Sequence, residues 1–251
     1  MVVGLVGSGN MATALARGWG EPVLCTDVFD ERAQALAAAT GGEAVASNAE
    51  LAERADLVML CHKPHQLDEV ASQMGGGAKA VASILAGISL SALEAAYPDT
   101  PVMRLMPNTA VEVRRGVICY APGSQMADPL AAELLELLGR SGRVVAVDEK
   151  LMDVAMALVS VAPAYIALIA EAWIDAGVAH GMPADQAAKM VAEAIAGSAD
   201  LLLANDVDTL KTRRAVTTPG GVTAQGLAAL ENAGIRAAFR DALDAVVDHV
   251  P

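Results

Sequence analysis

The chain has 251 residues, a formal net charge of −13 at pH 7, 54% hydrophobic residues and 3% aromatics. That length suits one large domain or two modest ones, with ample apolar material for a core. The acidity argues against nucleic acid, because phosphate neutralisation needs clustered Lys and Arg, yet it allows an anionic cofactor held by local backbone N–H groups.

Residues 1–5, Met-Val-Val-Gly-Leu, enter an apolar strand with neither a basic leader region nor a cleavage site, so no signal peptide is expected. Apolar runs of strand length follow at 2–6, 23–26, 57–61, 80–84, 102–106, 117–121 and 144–147. Helical stretches at 10–19, 31–39, 48–54, 89–96 and 129–138 lie between many of them. Alternation with uninterrupted apolar strands predicts a parallel sheet covered by helices on both faces.

After Asp148 the pattern changes class. No further strand is expected. Ala-rich stretches at 150–180 and 183–204 predict long helices, with Pro183 placed to open the second. A loop rich in Asp, Thr and Arg follows, then Thr217-Thr218-Pro219-Gly220-Gly221 and two final helical stretches. Residues 154–170 carry no charge, include Pro163, and are bracketed by Asp153 and Glu171 without a basic bias on either side. Burial on all sides, within a domain or between subunits, is expected there in preference to a membrane crossing. Cys25, Cys61 and Cys119 are widely spaced with no CxxC pair, which predicts buried reduced thiols in a cytoplasmic protein.

The chemistry is concentrated at two places. At the first, the strand at 2–6 runs into Gly7-Ser8-Gly9-Asn10-Met11-Ala12 and then a helix. Gly7 permits a tight turn, Gly9 lets a pyrophosphate approach the backbone, and small Ala12 allows close helix–strand packing, which together predict a Rossmann-type dinucleotide site. Asp27, 20 residues after Gly7, is placed to accept from the adenosine ribose hydroxyls and to repel a 2′-phosphate, tilting the choice toward NADH. Arg32 could neutralise such a phosphate, and an ordinary turn or helix-cap role for Asp27 stays open. Lys63 is a candidate cation beside the cofactor, or else a solvated loop lysine. His62 and His65 lack a third ligand, so no metal is expected.

Taken in order, Gly7-x-Gly9-Asn10-Met11-Ala12, Lys63-Pro64, Ala86-Gly87, Arg104-x-Met106-Pro107-Asn108-Thr109 and Val216-Thr217-Thr218-Pro219-Gly220-Gly221-Val222-Thr223 resemble the pyrroline-5-carboxylate reductases over nearly the whole chain. The resemblance implies an NADPH- or NADH-dependent reduction of the cyclic imine 1-pyrroline-5-carboxylate to L-proline. It implies an α/β fold with a Rossmann-type domain over 1–148 and an all-α substrate and dimerisation domain over 149–251. It also implies a cytoplasmic homodimer through the C-terminal helices, extending to a ring of dimers, with no nucleic acid or membrane as partner.

The residues it marks for cofactor are Gly7, Ser8, Gly9, Asn10, Met11, Asp27, Asn48, Cys61, His62, Lys63, Pro64, Ala86 and Asn108. For substrate they are Glu149, Thr218, Gly220, Gly221, Val222 and Thr223, with Thr223 and Lys63 as catalytic candidates. Physical sense supports the second set. A Gly-Gly pair ahead of a helix can offer N–H groups to a carboxylate, and Thr223 can orient the imine nitrogen or, alternatively, cap the helix. Glu149 could balance an iminium charge or be an exposed carboxylate.

Two stretches depart from the family pattern. Val159-Ser160-Val161-Ala162 stands where a small-polar Ser-Gly-Ser-Gly run is usual, and Lys211-Thr212-Arg213-Arg214-Ala215 is longer than the common form. Together they leave open a reductase of a different cyclic imine, and the first alone leaves open a non-catalytic NAD-binding protein. Hydroxyacid chemistry of the related dehydrogenases is disfavoured, since no Lys lies between Asp153 and His180.

Overall fold

The computed structural model describes residues 1–249, so residues 250 and 251 of the expected second domain lie outside the described residues. The described residues divide into two compact units, Met1–Pro163 with residues 247–249, and Ala164–Val246.

The first unit runs β1 (Val3–Val6), α1 (Asn10–Trp19), β2 (Leu24–Thr26), α2 (Asp30–Thr40), β3 (Glu43–Ala44), α3 (Asn48–Arg54), β4 (Leu57–Leu60) and α4 (Leu67–Met74). It continues with β5 (Val81–Ser83), α5 (Leu90–Ala96), β6 (Val102–Pro107), β7 (Gly116–Pro122), α6 (Asp128–Gly139), β8 (Gly142–Ala146) and α7 (Met152–Val159). The strands form one eight-stranded sheet in the order β3-β2-β1-β4-β5-β6-β7-β8.

Every residue of β1 and β4 is buried, because helices cover both faces. Side chains alternate across the sheet. Leu5 and Met59 pack in one layer with Leu15 of α1, Leu36 of α2 and Leu134 of α6. Val6 and Leu60 pack in the other with Leu51 of α3, Val70 of α4 and Leu93 of α5. Each fully buried Leu contributes roughly 2–3 kcal/mol relative to exposure. That alternation explains why these strands read as unbroken apolar runs.

The expected parallel sheet needs one correction. β7 runs antiparallel to β6, with Leu105 opposite Tyr120. Only residues 108–115 join them, including a 3₁₀ turn at Thr109–Val113, and a parallel pairing needs a crossover of about a dozen residues or more. The other strand pairs are parallel. The two-residue β3 and helix α4 are further additions to the sequence expectation.

α7 packs through Met152 and Ala155 on Met106, Cys119 and Ala121, so the first unit extends beyond the last strand. The uncharged stretch at 154–170 is not one uninterrupted helix. α7 ends at Val159, and the Ser160 hydroxyl donates to the Pro107 carbonyl at 2.9 Å before α8 (Ala162–Ala179) begins.

The second unit is helical, with α8 followed by α9 (Ala184–Ala204), α10 (Thr209–Ala215), α11 (Val222–Asn232) and α12 (Ile235–Val247). Tyr165 meets Phe239 edge-on at 6.5 Å and its hydroxyl donates to the Ala242 carbonyl, tying α8 to α12. Among the described residues of this unit only Ala187 and Val191 are buried. α8 leaves Ile166, Leu168, Ile169 and Trp173 exposed, so burial of this helix within its own chain, one of the two expectations, is not what the fold provides. The stretch Glu149–Ala179 is apolar and long enough, by length and composition, to cross a membrane.

Candidate active site

The glycine-rich turn lies at the C-terminal edge of the sheet, where ligands of open α/β sheets bind. Gly7 has φ +98°, and its N–H donates to the Thr26 carbonyl at 2.9 Å. A Cβ at Gly7 would stand 2.7 Å from the backbone of Cys61 at the end of β4, so the turn is pressed onto its neighbouring strand. Gly9 is the reverse case. A Cβ there meets nothing within 4 Å, which leaves its backbone open to a ligand. Gly9 also caps α1 without a side chain, and no acid occupies the first turn, so nothing within the helix itself opposes its positive end at the cleft.

The cleft has a volume of about 1390 Å³. Gly7, Ser8, Gly9, Asn10, Met11, Asp27, Asn48, Cys61, His62 and Lys63 line it. Pro64, Ala86 and Asn108 do not. Pro64 opens a 3₁₀ turn and Ala86 follows β5. Asn108 is buried, with its side-chain oxygen accepting from the Val117 N–H at 3.2 Å, so it closes the β6–β7 connection. The cleft also takes in Thr26, Phe29 and Gln73, which sequence reasoning passed over. Phe29 alone carried a signal, being an aromatic placed just after Asp27.

Asp27 is fixed at both oxygens. Oδ2 accepts from the Ser8 N–H at 2.8 Å and Oδ1 from the Phe29 N–H at 3.0 Å. Arg32 does not pair with it; its guanidinium lies over the Phe29 ring, 4.7 Å from the centroid. Asn48 accepts from the Thr26 hydroxyl and donates to Gln73 Oε1, both at 2.6 Å.

His62 Nδ1 lies 2.9 Å from the Lys63 carbonyl, which makes it the protonated nitrogen. Burial is the largest influence on the ring and pushes it below the ordinary histidine range, so His62 is neutral at pH 7. Burial likewise pushes the Cys61 thiol far up, so it is no nucleophile. Lys63 is exposed, and its ammonium has no carboxylate partner among the described residues.

Glu149 follows β8 in the first unit and is not a free counter-charge. Its Oε1 accepts from Arg104 Nη1 at 2.7 Å and from the Leu90 N–H at 2.8 Å. Arg104, buried on β6, also donates to Asp153 at 2.9 Å. Glu149 Oε2 is buried without a partner among the described residues.

In the second unit the glycine pair forms a sharp turn. Gly220 has φ +73°, and the Gly221 N–H donates to the Thr218 carbonyl at 3.0 Å. A Cβ at Gly221 would stand 2.4 Å from the Thr218 hydroxyl oxygen. Gly221 is the N-cap of α11, so Thr223 does not cap the helix; it lies in the first turn, half-buried, with Val222 exposed beside it. The N–H groups of that turn have no side-chain cap.

Models of two known domains match the chain: NADP oxidoreductase coenzyme F420-dependent over residues 2–87, and pyrroline-5-carboxylate reductase dimerisation over residues 149–250. The pyrroline-5-carboxylate reductase of Synechocystis sp. is 36% identical over 200 residues, covering 79% of this chain and 75% of its own. That of Methanosarcina acetivorans is 33% identical over 252 residues, covering 96% of this chain and 93% of its own. The chain belongs to the pyrroline-5-carboxylate reductase family.

Solved structures agree. The Plasmodium falciparum pyrroline carboxylate reductase with NADP bound superposes at a TM-score of 0.90 with 25% identity, over 100% of this chain and 97% of that one. The Streptococcus pyogenes 1-pyrroline-5-carboxylate reductase also gives 0.90, with 28% identity over 100% and 98%. As a member of this family the chain is an NAD(P)H-dependent oxidoreductase, and its helical unit is one that associates with further copies. In this reductase the altered stretch at 159–162 has a definite structural use: the Ser160 hydroxyl is committed to Pro107, at the end of the same strand that carries Arg104.

Proposed function

We propose that the chain reduces the C=N bond of 1-pyrroline-5-carboxylate to give L-proline, as a cytoplasmic homodimer or a ring of such dimers. The observation that carries this reading is the Gly220–Gly221 turn opening α11 with uncapped N–H groups and Thr223 in the first turn. When bound, NADH or NADPH supplies the hydride to the imine carbon. The residues of the chain bind and orient. The first-turn N–H groups of α11 donate to the substrate carboxylate, helped by the positive end of the helix dipole. The Thr223 hydroxyl, with no hydrogen-bond partner among the described residues, orients the imine nitrogen, which is protonated near neutral pH. Lys63 provides a positive charge in the cofactor cleft. Glu149 acts as a positioning residue, since Arg104 already holds one of its oxygens.

The cofactor reading follows from Asp27. Two backbone N–H groups hold its carboxylate, so a 2′-phosphate would meet a negative charge that is not free to swing away. NADH is therefore favoured, by about tenfold or more in kcat/KM, which is on the order of 1.4 kcal/mol. Steady-state turnover of 1-pyrroline-5-carboxylate with each cofactor tests substrate and preference together. No turnover of this imine sinks the functional reading, and a preference for NADPH sinks the role of Asp27. Thr223→Ala is expected to lower kcat/KM about 10–100-fold with cofactor binding retained.

A further inference from the structure

The longer stretch before the signature loop has an electrostatic character opposite to that of the whole chain. Residues 209–240 contain Lys211, Arg213, Arg214, Arg236 and Arg240 against a single acid, Glu231, in a protein whose net charge is −13. That acid is already occupied. Arg236 donates to both Glu231 oxygens at 2.7–3.0 Å, and Arg213 acts on the same carboxylate through space. Lys211 and Arg214 have no carboxylate partner among the described residues, and both are exposed with Arg213. Asp208, just outside the stretch, pairs with the Lys211 backbone N–H as the cap of α10.

Two of the cations, Arg213 and Arg214, are tied to the loop by the backbone. The Arg213 carbonyl accepts from the Val216 N–H and, at 2.6 Å, from the Thr217 hydroxyl; the Arg214 carbonyl accepts from the Thr217 N–H. Helix-dipole complementarity accounts for Arg213 and Arg214 in the last turn of α10. It does not account for Lys211, which lies in the first turn, where the dipole disfavours a cation.

The imine acid and the nicotinamide cofactor are both anions, and a surface this acidic repels them at long range. We propose that Lys211, Arg213 and Arg214 form a local positive entry that draws the carboxylate-bearing imine onto the 217–221 loop. The proposal rests on the reading of that loop as the carboxylate site. The cations act on approach and affinity, so they govern kcat/KM and leave kcat alone.

Salt tests this directly. The Debye length falls from about 30 Å at 0.01 M to about 10 Å at 0.1 M. Wild-type kcat/KM for 1-pyrroline-5-carboxylate is expected to fall roughly three- to tenfold between 0.01 M and 0.3 M salt, with kcat constant. The variant K211Q/R213Q/R214Q should start below the wild type and lose the fall with salt, its kcat/KM holding or rising as the remaining acidic surface is screened. Its oligomeric state, and its dissociation constant for NADH measured by fluorescence titration, should match the wild type. Arg214→Gln alone should show part of the same loss, which keeps the test available if the triple variant does not assemble.

A wild-type kcat/KM that is flat with salt, or a loss in the variant carried by kcat or by NADH binding, overturns the proposal. Complete absence of imine turnover by the wild type refutes the functional reading and the proposal with it. Turnover with a flat salt response refutes the entry alone.

Discussion

Replacing Arg104 by Met separates the cost of orphaned charges from the value of an ion pair. Arg104 is 3% exposed and donates to Glu149 at 2.7 Å and to Asp153 at 2.9 Å, joining β6 to the start of α7. Met keeps most of the length and apolar volume of the side chain, and leaves two neighbouring carboxylates without a cation. Each hydrogen bond between charged partners is worth about 1.5–3 kcal/mol. The Glu149 and Asp153 side chains are 31% and 43% exposed, so water recovers part of that loss. The expected net cost is about 3 kcal/mol. For a chain of this size that lowers Tm by roughly 6–12 °C.

Thermal unfolding followed by circular dichroism, at one protein concentration and pH 7, reads the effect. The triple variant R104M/E149Q/D153N should recover at least half of the loss, because the residual cost lies in the stranded carboxylates. A loss below about 1 kcal/mol, or a triple variant no more stable than the single one, would refute this account.

Three further outcomes rest on local geometry. Gly7→Ala forces a Cβ to within 2.7 Å of the Cys61 backbone at φ +98°, and should weaken NADH binding by at least about tenfold in a fluorescence titration. Val207 sits at φ +60° in the α9–α10 turn, a strained place for a β-branched side chain, so Val207→Gly should raise stability by about 0.5–1 kcal/mol, visible as a higher Tm. The Val2 N–H, and then Lys79, hold the Asp56 carboxyl below its ordinary range. A carboxyl depressed on folding stabilises above its unfolded pKa and loses that contribution as pH falls through its folded one. Asp56→Asn should therefore cost stability at pH 7 and converge with the wild type in acid; an equal gap at both pH values would contradict the assignment.

What the sequence made legible was local. The turn at Gly7 and Gly9, the helix after it and the acid at Asp27 are read from spacing alone, because each depends on backbone geometry within a few residues. The change of class after Asp148 is equally plain, since hydrophobic period is a local property. What stayed hidden depends on distant partners. Nothing near Glu149 announces that Arg104, 45 residues earlier, takes its charge. The reversal of β7 was legible in principle from the short link at 108–115, but the apolar run itself carries no direction. β3 has two residues and no period to detect. The cap of α11 is Gly221, two residues ahead of the threonine whose chemistry suggested that role.

The near-absence of buried side chains in the second unit bears on how this protein comes to exist at all. A unit whose described residues include only Ala187 and Val191 in its interior has almost no core of its own. Its stability must be shared with another copy, which makes folding a second-order event. Tm should then climb with protein concentration, and dilution alone should loosen the helices. The number of chains in a cell would set not only the amount of enzyme but also the fraction of each chain that is folded.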